Sequence, residues 1–417
     1  MAGGAVAGPL EDAKSAYERK DYATALQLWR PLAERGDAKA QFQLGVMYAK
    51  AQGVPQNDAE ALKWYRLAAD QGLRDAQTNL GLMYDKGQGV AQNYPEAVRW
   101  YRLAAGQSEP SAQFNLGVMY EHGQGVAQNY AEALRWYRLA ANQGDDAAQF
   151  NLGVMYEHGQ GVAQDHAEAF RWYRLAADQG LPDAEGIVGT MYAGGQGVAQ
   201  DYAEAAKWLR KAADQGRAAA QFNLGRMYEG GLGVSQNYAE AVKLYRLAAD
   251  QGLAAAQFSL GNMYANGQGM AQDYAEAAKW YRLAADQGDP SGQSLLGWIC
   301  ANGQGVPQDY AEALKWWRRA ADQGDARGQD GLGILYTYGH GVLEDHAEAS
   351  KWFRMAADQG FPDAQFSLGS MYFNGIGVPQ DNVRAHMWFN LAAARGNTEA
   401  LRDRDEVASK MTPAQIA

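Results

Sequence analysis

The chain carries six histidines and one cysteine, residue types that hold zinc or act as acid, base or nucleophile. His122 and His158 share one place in a recurring pattern, as do His166 and His346. Neighbouring members of such a series would stand on the order of 10 Å apart, one helix-pair step, too far to share a zinc ion. They read as surface histidines, with no metal and no cofactor implied. Cys300 falls where nine other repeats carry tyrosine and has nothing cationic or metal-like around it. It reads as a buried apolar thiol, and one cysteine excludes an internal disulfide framework. Neither a nucleophile elbow G-x-S-x-G nor an H-E-x-x-H pair occurs. Gly123-Gln124-Gly125-Val126 has paired glycines but no following lysine and no preceding strand, so it reads as a turn and not a phosphate loop. Glutamate three residues before arginine, as in Glu132 and Arg135, reads as an exposed ion pair. Nine tryptophans, from Trp64 to Trp388, share one column. Their helical spacing beside alanines, with Leu244 standing in once, favours packing between repeats over a stacking ladder for sugars or bases.

With 48 acidic against 37 basic side chains the net charge is −11. This argues against nucleic acid or an anionic membrane surface as partner. Apolar stretches are broken by charge at helix length, so no membrane insertion is expected. At the start, Ala5-Val6-Ala7 before Gly8 reads either as the small-residue end of a secretory signal or as a Gly/Ala tail, since the basic and apolar regions of a signal are missing. The expected location is periplasmic or secreted, and otherwise cytoplasmic.

What positions all these residues is a period. A glycine inside an L-G-x-M-Y-type helix returns at Gly45, Gly81, Gly117 and on to Gly369 in steps of 36, which overrides the usual domain-size prior and points to one array. The organisation read from it is a tail over 1–8, a degenerate capping helix pair over 9–36, ten repeats over 37–396, and a capping helix and tail over 397–417. Pro110, Pro182, Pro290 and Pro362 take the second place of their rows, suited to the first turn of a helix. Glycines such as Gly144 and Gly180 close the preceding helix as left-handed caps, and only Ser108 departs from that column. The second helix opens at Asn or Asp with glutamate three residues on, as in Asn129/Glu132 and Asp273/Glu276, a capping-box variant. Ala112, Leu116, Met119 and Tyr120 form one face of the first helix; Tyr130, Ala133, Tyr137, Ala140 and Ala141, widened by Trp136, form that of the second. A mid-helix glycine costs on the order of 1 kcal/mol against alanine. The expected return is close approach of the partner backbone at small residues such as Ala133, Ala140 and Ala141.

The L-G-x-M-Y helix, the G-x-G-V turn and a second helix of the form Y-A-E-A-x-K/R-W-Y-R-x-A-A-D-Q-G together resemble the Sel1-like repeats, relatives of tetratricopeptide repeats. The match recurs in register over 360 of the 417 residues. The resemblance implies an all-α fold, a right-handed α-solenoid of ten helix-turn-helix repeats with degenerate caps. It also implies a non-enzymatic adaptor that binds a protein or peptide in a concave groove, commonly in the bacterial envelope or exported. Some cysteine-rich relatives carry a β-lactamase label, but S-x-x-K, S-D-N and K-T-G are absent, so a hydrolase is the least favoured reading. A purely architectural spacer is the other alternative.

In such superhelices the first helix of each pair lines the groove. The columns expected to meet a partner are those that vary on its face away from the core: Asn79, Asn115, Val118, His122, Asn151, Val154, His158, Asn223, Arg226, Asn262, Trp298, Ile334 and Tyr338. The asparagines would hydrogen-bond an extended backbone, and the apolar members would anchor side chains. The rows from Asp289 to Gly360, where Trp298, Ile334 and Tyr338 leave the consensus, are the expected apolar hot spot.

Overall fold

The computed structural model describes residues 8–412 and Gln415; Ala5-Val6-Ala7 and four of the last five residues lie outside that range. Among the described residues there are 23 helices and no strand. A head pair, Pro9–Glu18 and Tyr22–Glu34, precedes ten pairs running from Ala38–Ala49 with Asp58–Asp70 to Pro362–Asn374 with Asn382–Ala394, and Thr398–Ser409 closes the series. The chain divides into two compact units, Met1–Trp208 and Leu209–Ala417.

Local chemistry starts and stops most of the helices where the sequence places their caps. The side chain of Asn129 accepts from the backbone N–H of Glu132 at 3.1 Å, and Asp273 accepts from those of Ala275 and Glu276 at 2.9 and 3.0 Å; such a cap contributes about 1 kcal/mol. The glutamate arm of the capping box is used differently. Glu132 turns to Arg135 at 3.2 Å, which is an exposed pair of small energetic value. Pro110, Pro182, Pro290 and Pro362 each open their helix. Both glycines of the turn are left-handed, Gly123 at φ +68° and Gly125 at φ +70°. The second also docks on the previous repeat, since a Cβ at Gly125 would lie 2.5 Å from the carbonyl carbon of Tyr94.

The mid-helix glycine works otherwise than expected. What crowds it first is an aromatic ring of the second helix; the expected backbone approach at a small residue comes second, with the Ala97 carbonyl oxygen 3.3 Å from a Cβ on Gly81. A Cβ on Gly117 would sit 2.5 Å from Cδ1 of Tyr137, and one on Gly153 would sit 2.5 Å from Cδ1 of Tyr173. Tyr65, Tyr101, Tyr245 and Tyr281 fill the same place against their glycines, as do Trp317, Phe353 and Phe389. The alanines are buried beside this contact. The glycine thus makes a socket for a ring, and burying that ring offsets the lost helix propensity.

A second device ties consecutive pairs. Buried Gln149 donates to the Ala141 carbonyl at 3.2 Å and accepts from Gln179 at 2.8 Å; Gln113 with Gln143 and Gln257 with Gln287 repeat it at 2.8 and 2.7 Å. Each satisfies polar groups that burial would otherwise leave unpaired. The tryptophan column is packing, as expected: Trp100 is 4% and Trp316 1% exposed. Cys300 is buried, which pushes its thiol up from the usual value. In most other repeats that column's tyrosine accepts from an arginine of the preceding helix, as Tyr120 does from Arg102 at 2.7 Å. With Cys300 in its place, Arg282 pairs with Glu312 at 3.0 Å instead.

Candidate functional site: a groove opened by missing rings

In most repeats a phenylalanine of the first helix packs on the socketed ring of the second. Ring centroids are 5.7 Å apart for Phe222 and Tyr245, 6.0 Å for Phe258 and Tyr281, and 5.6 Å for Phe366 and Phe389. Thr78 and Gly186 break this column singly, whereas Ser294 and Asp330 break it in two consecutive repeats. Here the unit Leu209–Ala417 contains a groove of about 1080 Å³, on the scale of a ligand site. Part of the missing volume is refilled from the other helix. Trp317 takes the place of the tyrosine, is 5% exposed, and donates its Nε1–H to the Ser294 carbonyl at 3.0 Å. Gly331 makes room for it, since a Cβ there would lie 2.8 Å from the indole Cε3.

Four of the thirteen expected partner residues line this groove: Asn262, Trp298, Ile334 and Tyr338. Trp298 is 41%, Ile334 38% and Tyr338 65% exposed, large side chains left partly open to solvent. Tyr274 leans on Trp298 with ring centroids 6.4 Å apart. His340 stacks between Tyr310 at 4.3 Å and Tyr338 at 5.7 Å. Asn262 accepts from the Tyr281 hydroxyl at 2.7 Å, so its carbonyl is already engaged and its amide group remains to donate. Asn223 and Arg226 belong to the same unit outside the groove lining, with the Arg226 guanidinium 6.0 Å from the Phe222 ring.

The remaining seven sit in the unit Met1–Trp208, half-buried or exposed on their first helices. Asn79 and Asn151 act on the socketed phenols of Tyr65 and Tyr137, offsetting part of the rise that burial causes there, so part of the asparagine column serves the fold. His122 and His158 turn back onto the carbonyls of Val118 and Val154, at 3.1 and 3.0 Å. No three His, Cys, Asp or Glu side chains converge as a metal site among the described residues.

The floor of the groove holds what the sequence reading missed. Asp330 is 8% exposed and its Oδ1 has no hydrogen-bond partner. Burial, and then the facing charge of Asp363, raise its pKa from 3.8 to about 7. Ser294 is bound on its hydroxyl to the Pro290 carbonyl at 3.0 Å and to Asp325. Arg327, exposed on the helix of Asp330, acts on Tyr281, where its charge offsets part of the rise that burial causes in the phenol. The signal available in the sequence was the break in the phenylalanine column.

Stacked helix pairs whose variable first-helix positions open into a groove define an α-helical repeat scaffold, an all-α solenoid of a class generally given to holding other proteins and not to catalysis. A profile of the Sel1 repeat matches residues 14–37, 38–73, 74–108, 110–145, 146–181, 182–216, 218–253, 254–289, 290–325, 326–361 and 362–397. The chain belongs to the Sel1 repeat family. The first match includes most of the head, which the period of 36 had set apart as a degenerate cap, so eleven segments are recognised where ten were read. Among solved structures, the chain is similar to a protective antigen present in uropathogenic Escherichia coli strains, which displays the same repeat fold. The two are 36% identical with a TM-score of 0.72, over 94% of this chain and 92% of that one. A Sel1 repeat protein from Oxalobacter formigenes is 33% identical with a TM-score of 0.58, over 79% of this chain and 94% of the other. Comparison with curated proteins gives no match. No described helix is long and apolar enough to cross a membrane.

Proposed function

We propose that this chain is a non-enzymatic adaptor that captures a segment of a partner protein in the groove around Trp298, Ile334 and Tyr338. The observation that carries the reading is the paired loss of phenylalanine at Ser294 and Asp330, which opens the groove beside three exposed apolar side chains. An architectural spacer needs no such opening. Large side chains held on rigid helices, ringed by groups able to hydrogen-bond, are the usual make-up of a binding hot spot. Periplasmic or secreted placement remains the proposed location, supported by Ala5-Val6-Ala7 and by similarity to a chain described as a protective antigen.

Trp298→Ser tests the reading against peptides selected from a displayed random library on the intact chain. Trp298 is 41% exposed, so the circular dichroism melt should hardly move while peptide binding weakens by at least about tenfold. A large loss of melting temperature would assign Trp298 to the core. Undiminished binding with an intact fold would remove the groove from the account.

A further inference from the structure

Resting on that reading, we propose that the groove floor is a subsite for a basic side chain, so that the partner segment presents a lysine or arginine beside its apolar anchor. Asp330 is the receiving carboxylate. It lies at the bottom of the opening, more than nine-tenths buried, with Oδ1 bonded to nothing. A carboxylate in that position, left alone, is held at high free energy because its hydration is gone and no donor replaces it. Every other packed repeat with phenylalanine at this place avoids the problem. The polar replacement comes together with the opening, in the same repeat.

The surroundings favour a cation over any other occupant. Asp363 faces Asp330 from the helix Pro362–Asn374, adding like charge. Asp325, at the head of Asp330's own helix, caps Gly328 and holds Ser294. From the helices Pro290–Asn302 and Tyr310–Asp322, Ser294 and Trp317 bring no charge. Arg327 is the lining cation, and it is exposed and acts on Tyr281. Trp298, Tyr338 and His340 line the same groove, and the rings of Trp298 and Tyr338 can attract an ammonium or guanidinium as well as the stem that carries it. A basic side chain entering the groove would neutralise Asp330 against Asp363 and give its carboxylate a charge-assisted bond.

The proposal fixes the sign of a pH effect. Only the ionised carboxyl would take the cation, and with a free-state pKa of about 7 the apparent Kd should rise by up to about tenfold, the full worth of the cation, from pH 8 to pH 5.5. The probes are synthetic dodecapeptides selected on the full chain from a random displayed library at pH 8, titrated calorimetrically. Selected sequences should be enriched in lysine or arginine. Replacing the basic residue by norleucine should weaken binding to the wild type by about tenfold and have little effect on Asp330→Asn, which should also lose the pH dependence. Affinity that rises on acidification would make Asp330 a neutral donor and overturn the proposal. Peptides that require Trp298 but are indifferent to Asp330→Asn and to their own charge would overturn it while leaving the groove in place. If no peptide is retained, or all bind Trp298→Ser unchanged, the groove reading fails and this subsite with it.

Discussion

Asp330→Asn in the free chain should flatten a pH dependence of stability that the groove creates. The carboxyl is 8% exposed, and burial, followed by the facing Asp363, raises its pKa from 3.8 to about 7. In the unfolded chain it returns to the ordinary carboxylate range. Between about pH 4 and pH 7 the folded chain therefore keeps a proton that the unfolded chain has released, and stability falls as pH rises through that window. From pH 5 to pH 8 the fall amounts to about 2.5 kcal/mol. Asparagine has nearly the same size and does not titrate, so the variant should match the wild type near pH 5 and exceed it by about 2.5 kcal/mol at pH 8. Urea melts of both proteins at the two pH values measure this. Because repeat arrays can open in parts, hydrogen exchange across Ala326–Tyr338 locates the effect. Parallel pH profiles for the two proteins, or a variant less stable at pH 8, would show that the carboxyl is hydrated or paired, and the reasoning about the groove floor would be refuted.

Two further perturbations address the frame that holds the groove. Gly153→Ala gains about 1 kcal/mol of helix propensity, yet it places a Cβ 2.5 Å from the Tyr173 ring, and such overpacking costs roughly 1–3 kcal/mol; a lowered melting temperature is expected, and a raised one would deny the socket. Gln149→Leu removes its bonds to Gln179 and the Ala141 carbonyl, so hydrogen exchange in the helices Asp146–His158 and His166–Asp178 should quicken by an amount equivalent to about 1–3 kcal/mol.

What the sequence made legible was what local chemistry decides. Asn129, Pro110 and Gly123 cap or open helices through groups a few residues away, and each does so where the row pattern places it. Tertiary partners were harder to read. The glycine column signalled crowding at Gly117, but that the intruder is the Tyr137 ring follows only from how the second helix is rotated against the first. The Gln149–Gln179 bond joins residues 30 positions apart, beyond the reach of periodicity, and a recurring glutamine on its own reads as solvated. Trp298, Ile334 and Tyr338 were found because they leave the consensus on one face. Asp330 and Ser294 were missed because they sit on the packed side, where the meaningful change was the absence of phenylalanine. The exchange of Trp317 and Gly331, ring for ring and hydrogen for side chain, shows in neither column alone.

The most direct test of the account is hydrogen exchange of the intact chain with and without a peptide selected on it. Protection is expected in Ala254–Asn266, Pro290–Asn302 and Ala326–Tyr338, the helices that carry Asn262, Trp298, Ile334 and Tyr338, and it should vanish with Trp298→Ser. Protection confined to other helices, or spread evenly over the repeats, would contradict the claim that the missing rings at Ser294 and Asp330 make the binding site.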